Sequence, residues 1–140
     1  MGKRDPGRKP KKVGTSSLPH VEPAESSNHL TPRFCFRHLE PGFGVRDLDR
    51  DAQASLAREL EARAGMTWQQ LIQTSRHAKG SETIPREAII PRIPDRFADR
   101  TKFLCFRYFE NLPMVGVRIG DTFHLVWIEK RYDEVYNHGS

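Results

Sequence analysis

The stretch Lys102–Tyr136, KFLCFRYFENLPMVGVRIGDTFHLVWIEKRYDEVY, restricts the folds open to this chain more than any other. Apolar and aromatic residues fill it at every second position, the period of a strand, and Asn111-Leu112-Pro113 and Gly120-Asp121 punctuate it. The pattern predicts three antiparallel strands joined by two short turns. A two-residue turn at Gly120-Asp121 would pair Ile119 with Thr122, Arg118 with Phe123, Val117 with His124 and Gly116 with Leu125. A first loop from Glu110 to Pro113 would pair Phe109 with Met114, Tyr108 with Val115 and Arg107 with Gly116. One face then carries Leu104, Phe106, Tyr108, Val115, Val117, Ile119, His124, Val126 and Ile128, and is expected to take the helices. The other carries Cys105, Arg107, Phe109, Met114, Gly116, Arg118, Phe123, Leu125 and Trp127, a partly open basic-aromatic surface. Gly116 beside Arg107 leaves room there for the close approach of a ligand. The alternative reading of Arg107 and Arg118 is that they pair with Glu129 or Asp121.

A sheet of this kind needs elements to cover it, and the preceding residues supply them. RFCFRHL, residues 33–39, alternates as a strand does and stops at Pro41-Gly42. From Asp49 or Asp51 an acidic cap precedes Ala52, Leu56, Leu60 and Ala64, which recur every four residues on one helical face, and Gly65 supplies the stop. Thr67 with Gln70 three residues on forms a capping box, opening a second helix with Trp68, Leu71 and Ile72 on one side and an end near Arg76. Residues 77–101 carry three prolines and read as a long connection with at most one short edge strand. The predicted fold is α+β: a helix hairpin packed on an antiparallel sheet of about four strands, in a single domain over residues 33–138.

Charge is placed unevenly. Of 23 basic and 18 acidic residues, six basic ones (Lys3, Arg4, Arg8, Lys9, Lys11, Lys12) and only Asp5 fall in residues 1–12, which leaves 17 of each sign in the rest. A basic arm on a neutral body suits polyanion contact through phosphate neutralisation, and equally suits a solubilising terminus. Residues 13–32 have no aromatic residue and no apolar period, so residues 1–32 are expected to be a disordered basic tail and linker. No apolar run approaches the ~20 residues needed to span a bilayer, and the charged start does not match a signal peptide, so a cytoplasmic protein with no membrane contact is expected. Cys35 and Cys105 are too few for a disulfide framework and read as small core residues, a single Cys35–Cys105 bridge being the alternative.

Motifs with a fixed chemical meaning are missing: there is no phosphate-cradling G-x-x-x-x-G-K loop, G-x-G-x-x-G fingerprint, nucleophile elbow, H-E-x-x-H or paired C-x-x-C. The six histidines (20, 29, 38, 77, 124 and 138) are dispersed, so neither a metal nor a cofactor is expected. What remains for chemistry is Arg107 and Arg118 as phosphate ligands, with the basic arm, and His124, Tyr136 and His138 for proton transfer. A mid-strand His124 reads equally as a hydrogen-bonded structural residue.

The order strand, helix hairpin, connection and antiparallel meander, with Arg107 and Arg118 in the meander and Tyr136 and His138 closing it, resembles the RelE/ParE-type small toxin superfamily. The chain's ending is also similar to that of bacterial small proteins of the form G…D-x-F-H-x-x-W-I-(D/E)…Y, matched by Gly116, Asp121, Phe123, His124, Trp127, Ile128, Glu129 and Tyr136. The resemblance implies a metal-independent endoribonuclease acting on RNA or the ribosome, or a protein that acts on a topoisomerase, with a protein partner such as an antitoxin. Two further readings stand beside it: a non-catalytic RNA- or ribosome-binding module, and a protein–protein adaptor that uses Phe109, Phe123 and Trp127 as its anchor.

Overall fold

The computed structural model describes residues 27–137. In chain order they form β1 (Arg33–Cys35), α1 (Arg50–Ala64), α2 (Trp68–Gln73), β2 (Ser81–Pro85), β3 (Lys102–Phe109), β4 (Leu112–Ile119) and β5 (Thr122–Ile128). The three strands of the alternating stretch are present, and the caps act as the sequence indicates. The Asp49 side chain accepts the Ala52 N–H at 2.9 Å, Gly65 ends α1, and Thr67 and Gln70 exchange both bonds of the capping box at the start of α2.

Two features of the predicted architecture are corrected. The sheet has five strands in the order β1-β5-β4-β3-β2 and is mixed, because β1 lies parallel to β5 while every other pairing is antiparallel. Parallel neighbours need a long crossover, and here almost the whole domain lies between the two strands, so no local signal marks the pairing. The helix hairpin also shrinks. α2 stops at Gln73, since Thr74 is already extended, and Gly80 packs so tightly that a Cβ there would meet the Thr74 carbonyl oxygen at 1.8 Å. One 15-residue helix and a six-residue one therefore cover one face of the sheet.

Both sheet faces are buried. On one, Leu48, Ala52, Leu56, Trp68 and Leu71 pack on Phe106, Tyr108, Met114, Phe123, Leu125 and Ile128. On the other, Ile84, Phe97 and Val135 with Tyr136 pack on Phe103, Cys105, Val115, Val117, Val126 and Trp127, and Phe43, Ala88, Ile89 and Ile93 complete the cover. The proline-rich connection thus contributes β2 as an edge strand, closed by Pro85, and then serves as the lid of the second face. The carboxyl-terminal segment closes the rest of that lid. The buried Glu129 carboxylate accepts the Glu134 and Val135 N–H groups at 3.1 and 2.8 Å, and its carbonyl accepts the Tyr108 hydroxyl at 2.7 Å.

The division of faces changes accordingly. The β4–β5 turn has the expected register from Ile119↔Thr122 to Gly116↔Leu125, but the β3–β4 turn consists of Glu110 and Asn111 alone, with φ of 48° and 70°. Phe109 therefore pairs with Leu112, and a bulge near Tyr108 leads to Arg107↔Pro113, Phe106↔Met114, Cys105↔Val115 and Leu104↔Gly116. The shift from the expected pairing is three residues, an odd number, so β4 turns over relative to β3. A second bulge, at Val126, separates Gly116↔Leu125 from Val115↔Trp127 and sends Ile128 to the helix side. Gly116 belongs to that bulge, since a Cβ on it would meet the His124 carbonyl oxygen at 2.0 Å. Its missing side chain accommodates β5 and opens no space beside Arg107.

Candidate functional site

The residues singled out from the sequence are dispersed over the fold. Arg107 shares the face of Cys105, with its guanidinium 3.5 Å from Glu82, which also pairs with Arg76 at 2.9 Å. Arg118 lies on the helix side, 4.1 Å from the centre of the Trp68 ring, and donates to the Gly120 carbonyl, the Ser27 hydroxyl and the Asn28 side-chain oxygen at 2.8, 3.0 and 2.8 Å. Tyr136 is buried, with its hydroxyl 3.6 Å from Cys105 Sγ. Burial, with the thiol beside it, pushes the phenol well above its ordinary value, and burial pushes the Cys105 thiol up to about 12. Neither group is suited to proton transfer near neutrality. His124 sits two strands away, on β5 beside β1. His138 and the arm residues Lys3, Arg4, Arg8, Lys9, Lys11 and Lys12 lie outside the described residues. Phe123 and Trp127, the intended adaptor anchors, are fully buried in opposite cores, and Cys35 and Cys105 are free thiols.

A different set of residues converges where β3 begins and β4 ends. A cleft of about 320 Å³ opens there, with Arg100, Lys102 and Arg118 as its charged walls and Ser81 and Thr83 as hydroxyl donors. Its floor is apolar, formed by Trp68, Phe103, Leu104 and Val117, and Ile72 forms the half-exposed rim. Among the described residues, no acidic side chain lines it. Each wall has a structural reason. Arg118 is held on Trp68 because the indole N–H is anchored on the Asp121 carbonyl at 3.0 Å, which ties α2 to the β4–β5 turn. Residues 28–30, which the sequence assigns to the linker, add to this: the Asn28 and Leu30 carbonyls accept the Gln69 and Trp68 N–H groups, both at 2.9 Å. The Arg100 N–H donates to the Phe97 carbonyl at 3.1 Å and its carbonyl accepts Arg86 Nη1 at 2.8 Å, which fixes the Arg100 backbone beside the cleft it lines. Among the described residues, neither Arg100 nor Lys102 has an ion-pair partner.

Behind Arg100 lies a second basic cluster. His124 is the cross-strand partner of Val117, which lines the cleft, and its ring centre is 5.4 Å from that of His38. The His38 ring meets the edge of Phe97 at 5.5 Å, and Arg96 lies 6.0 Å over Phe97. Burial, then Arg96 and Arg37, holds His38 below its ordinary value; burial, then His38 and Arg100, does the same for His124. His124 Nδ1 is buried with no hydrogen-bond partner.

Arg100, Lys102, Ser81, Thr83 and His38 were not singled out from the sequence. The one local signal is the Arg100-Thr101-Lys102 run at the start of β3, and it carries no information about Arg118. Comparison of the chain with protein-family models, curated proteins and solved structures returns no match.

Proposed function

We propose that this protein binds RNA through the phosphate backbone, with the cleft at the end of the sheet as its docking site and the basic arm as a second point of attachment. The observation that carries this reading is the cleft itself: three cations and two hydroxyls with no carboxylate among its lining residues. Guanidinium and ammonium groups bind phosphate oxygens by charge-assisted bonds. Arg100 and Lys102 have no ion-pair partner among the described residues. The described chain starts beside the cleft, since Ser27 and Asn28 are bonded to Arg118. The arm, residues 1–12, carries six basic residues against one acidic residue and precedes this point in the sequence. Binding without chemistry fits the placement of the side chains better than cleavage does, because Tyr136 is buried against Cys105 while His124 lies across the sheet.

Fluorescence anisotropy with a single-stranded RNA tests the reading. Deleting residues 1–12 should lower the slope of log affinity against log salt by about 0.7 for each phosphate that the arm neutralises. Lys102→Glu in the truncated chain should weaken what remains by at least about tenfold. Equal affinities and slopes for the truncated chain and its Lys102→Glu form would overturn the cleft as the docking site.

A further inference from the structure

The cleft is too small to be the whole docking surface for a strand, and Arg100 belongs to more than the cleft. It also stands close enough to His124 to lower its basicity, and Val117, in the cleft floor, pairs with His124 across the strands. We propose that His38, His124, Arg96 and Arg100 form a second anion subsite, continuous with the cleft through Arg100, that takes a neighbouring backbone phosphate of the same RNA strand. This rests on the reading above and adds a path for the strand and a dependence on pH.

Geometry supports it first. The groups come from three separate segments and are held in place by ring packing: Arg96 over Phe97, Phe97 edge-on to His38, His38 tilted by 48° against His124. The two imidazoles are therefore positioned by ring contacts without a ligand, which lowers a cost of binding. The charges facing the pair are Arg37 and Glu40 from the segment after β1, and Arg96 and Arg100 from residues 95–100. Only Glu40 opposes them, through a long 3.7 Å approach to Arg96, while Asp95 is paired with Arg92. His124 Nδ1 is buried with no hydrogen-bond partner, so a proton taken up there is favoured only when the bound anion supplies an acceptor.

Burial is the larger cause of both low imidazole pKa values, and an anion among these groups offsets the part added by Arg96 and Arg37 at His38 and by Arg100 at His124. Binding then takes up protons and tightens as the pH falls, about tenfold for each unit by which a histidine pKa rises.

Histidine side-chain NMR titrations of the full chain, in sodium sulfate and in sodium chloride at equal ionic strength, test the subsite. Sulfate is a suitable probe because its charge is constant across the histidine range. The His38 and His124 transitions should move to higher pH in sulfate, with exposed His77 as the internal reference. Arg96→Gln, a change at an exposed side chain, should abolish most of that shift. Identical titrations in the two salts, or a sulfate shift unchanged in Arg96→Gln, would overturn the subsite even if Lys102→Glu weakens RNA binding as expected. The opposite result, a sulfate shift with RNA binding indifferent to Lys102→Glu, would remove the RNA reading and leave an anion site.

Discussion

Arg63 is the single residue whose environment departs most from what its type suggests. Its side chain is fully buried, donates to the Lys79 and Arg107 carbonyls at 3.0 and 2.9 Å, pairs with Glu59 at 2.9 Å, and lies 5.1 Å over the Phe106 ring. It thus joins α1, the turn after α2 and β3. Arg63→Ala removes every one of these bonds and is expected to lower stability by about 3–5 kcal/mol. Arg63→Lys should recover little, because a single ammonium cannot reach acceptors on three segments. Urea unfolding measures both, and a midpoint close to the wild type for Arg63→Ala would refute the role. The four-residue spacing read from the sequence puts Ala64 on the apolar face and Arg63 off it, whereas the 3.6-residue period carries the buried stripe from Leu56 to Arg63 and leaves Ala64 exposed.

The histidine pair makes a prediction at the same scale. Both groups have a lower pKa in the folded chain than the unfolded value of 6.5, so the unfolded state binds more protons between the two. Without a bound anion, stability should be full above about pH 6.5 and fall as the pH drops through the depressed values. The double variant His38→Gln/His124→Gln should have a flatter pH profile in that window, measured by thermal unfolding in chloride. An unaltered profile would contradict the depression of the two histidines by burial and by the neighbouring positive charges. The Glu59 carboxyl has the same sign in a lower window: burial raises its pKa, but Lys79 and Arg63 outweigh this and hold it below the ordinary carboxylate value, so its contribution is lost only in acid.

At the scale of elements, the caps and the alternation are local and were legible, whereas turn length was not. Glu110 and Asn111 both adopt the left-handed conformation, which Asn tolerates and Glu does not, so Glu110 sits there against its own preference. Glu110→Asn should stabilise the hairpin by about 0.5–1 kcal/mol, since the Tyr132 hydroxyl bonds to the backbone oxygen of residue 110 and that bond survives the change. A drop in the denaturation midpoint would mean that the Glu110 side chain has a role of its own. The bulges follow the same logic. Val126 and the irregularity near Tyr108 each insert one residue into a ladder, and no composition signal announces either.

For the whole molecule, the second face is covered by irregular chain, with neither α1 nor α2 on it. Glu129, Val135 and Tyr136 close it at the carboxyl end, and Ile90 and Ile89 meet Val135 and Tyr136 through a 2.7 Å bond and a β-bridge. A chain ending at Ile128 should therefore expose Cys105, Val115, Val126 and Trp127, bind a dye specific for apolar surface, and unfold without cooperativity. Retained cooperativity would show that residues 129–137 are dispensable. The described residues contain no helix long and apolar enough to cross a membrane.

By itself the sequence determined the parts whose causes are local: three alternating strands, the Gly120-Asp121 turn, the Asp49 and Thr67 caps, and the confinement of net charge to residues 1–12. Only the tertiary structure decided which way β4 faces, that β1 joins β5 in parallel, and that Arg100, Lys102 and Arg118 meet. The reason is the period of two. A strand with apolar residues on both sides reads the same after a one-residue slip, and here both faces are covered, so the pattern holds no preference between registers. Packing of the lid and the two bulges breaks that tie, and in doing so it moves Arg118 onto Trp68 and opens the cleft beside it.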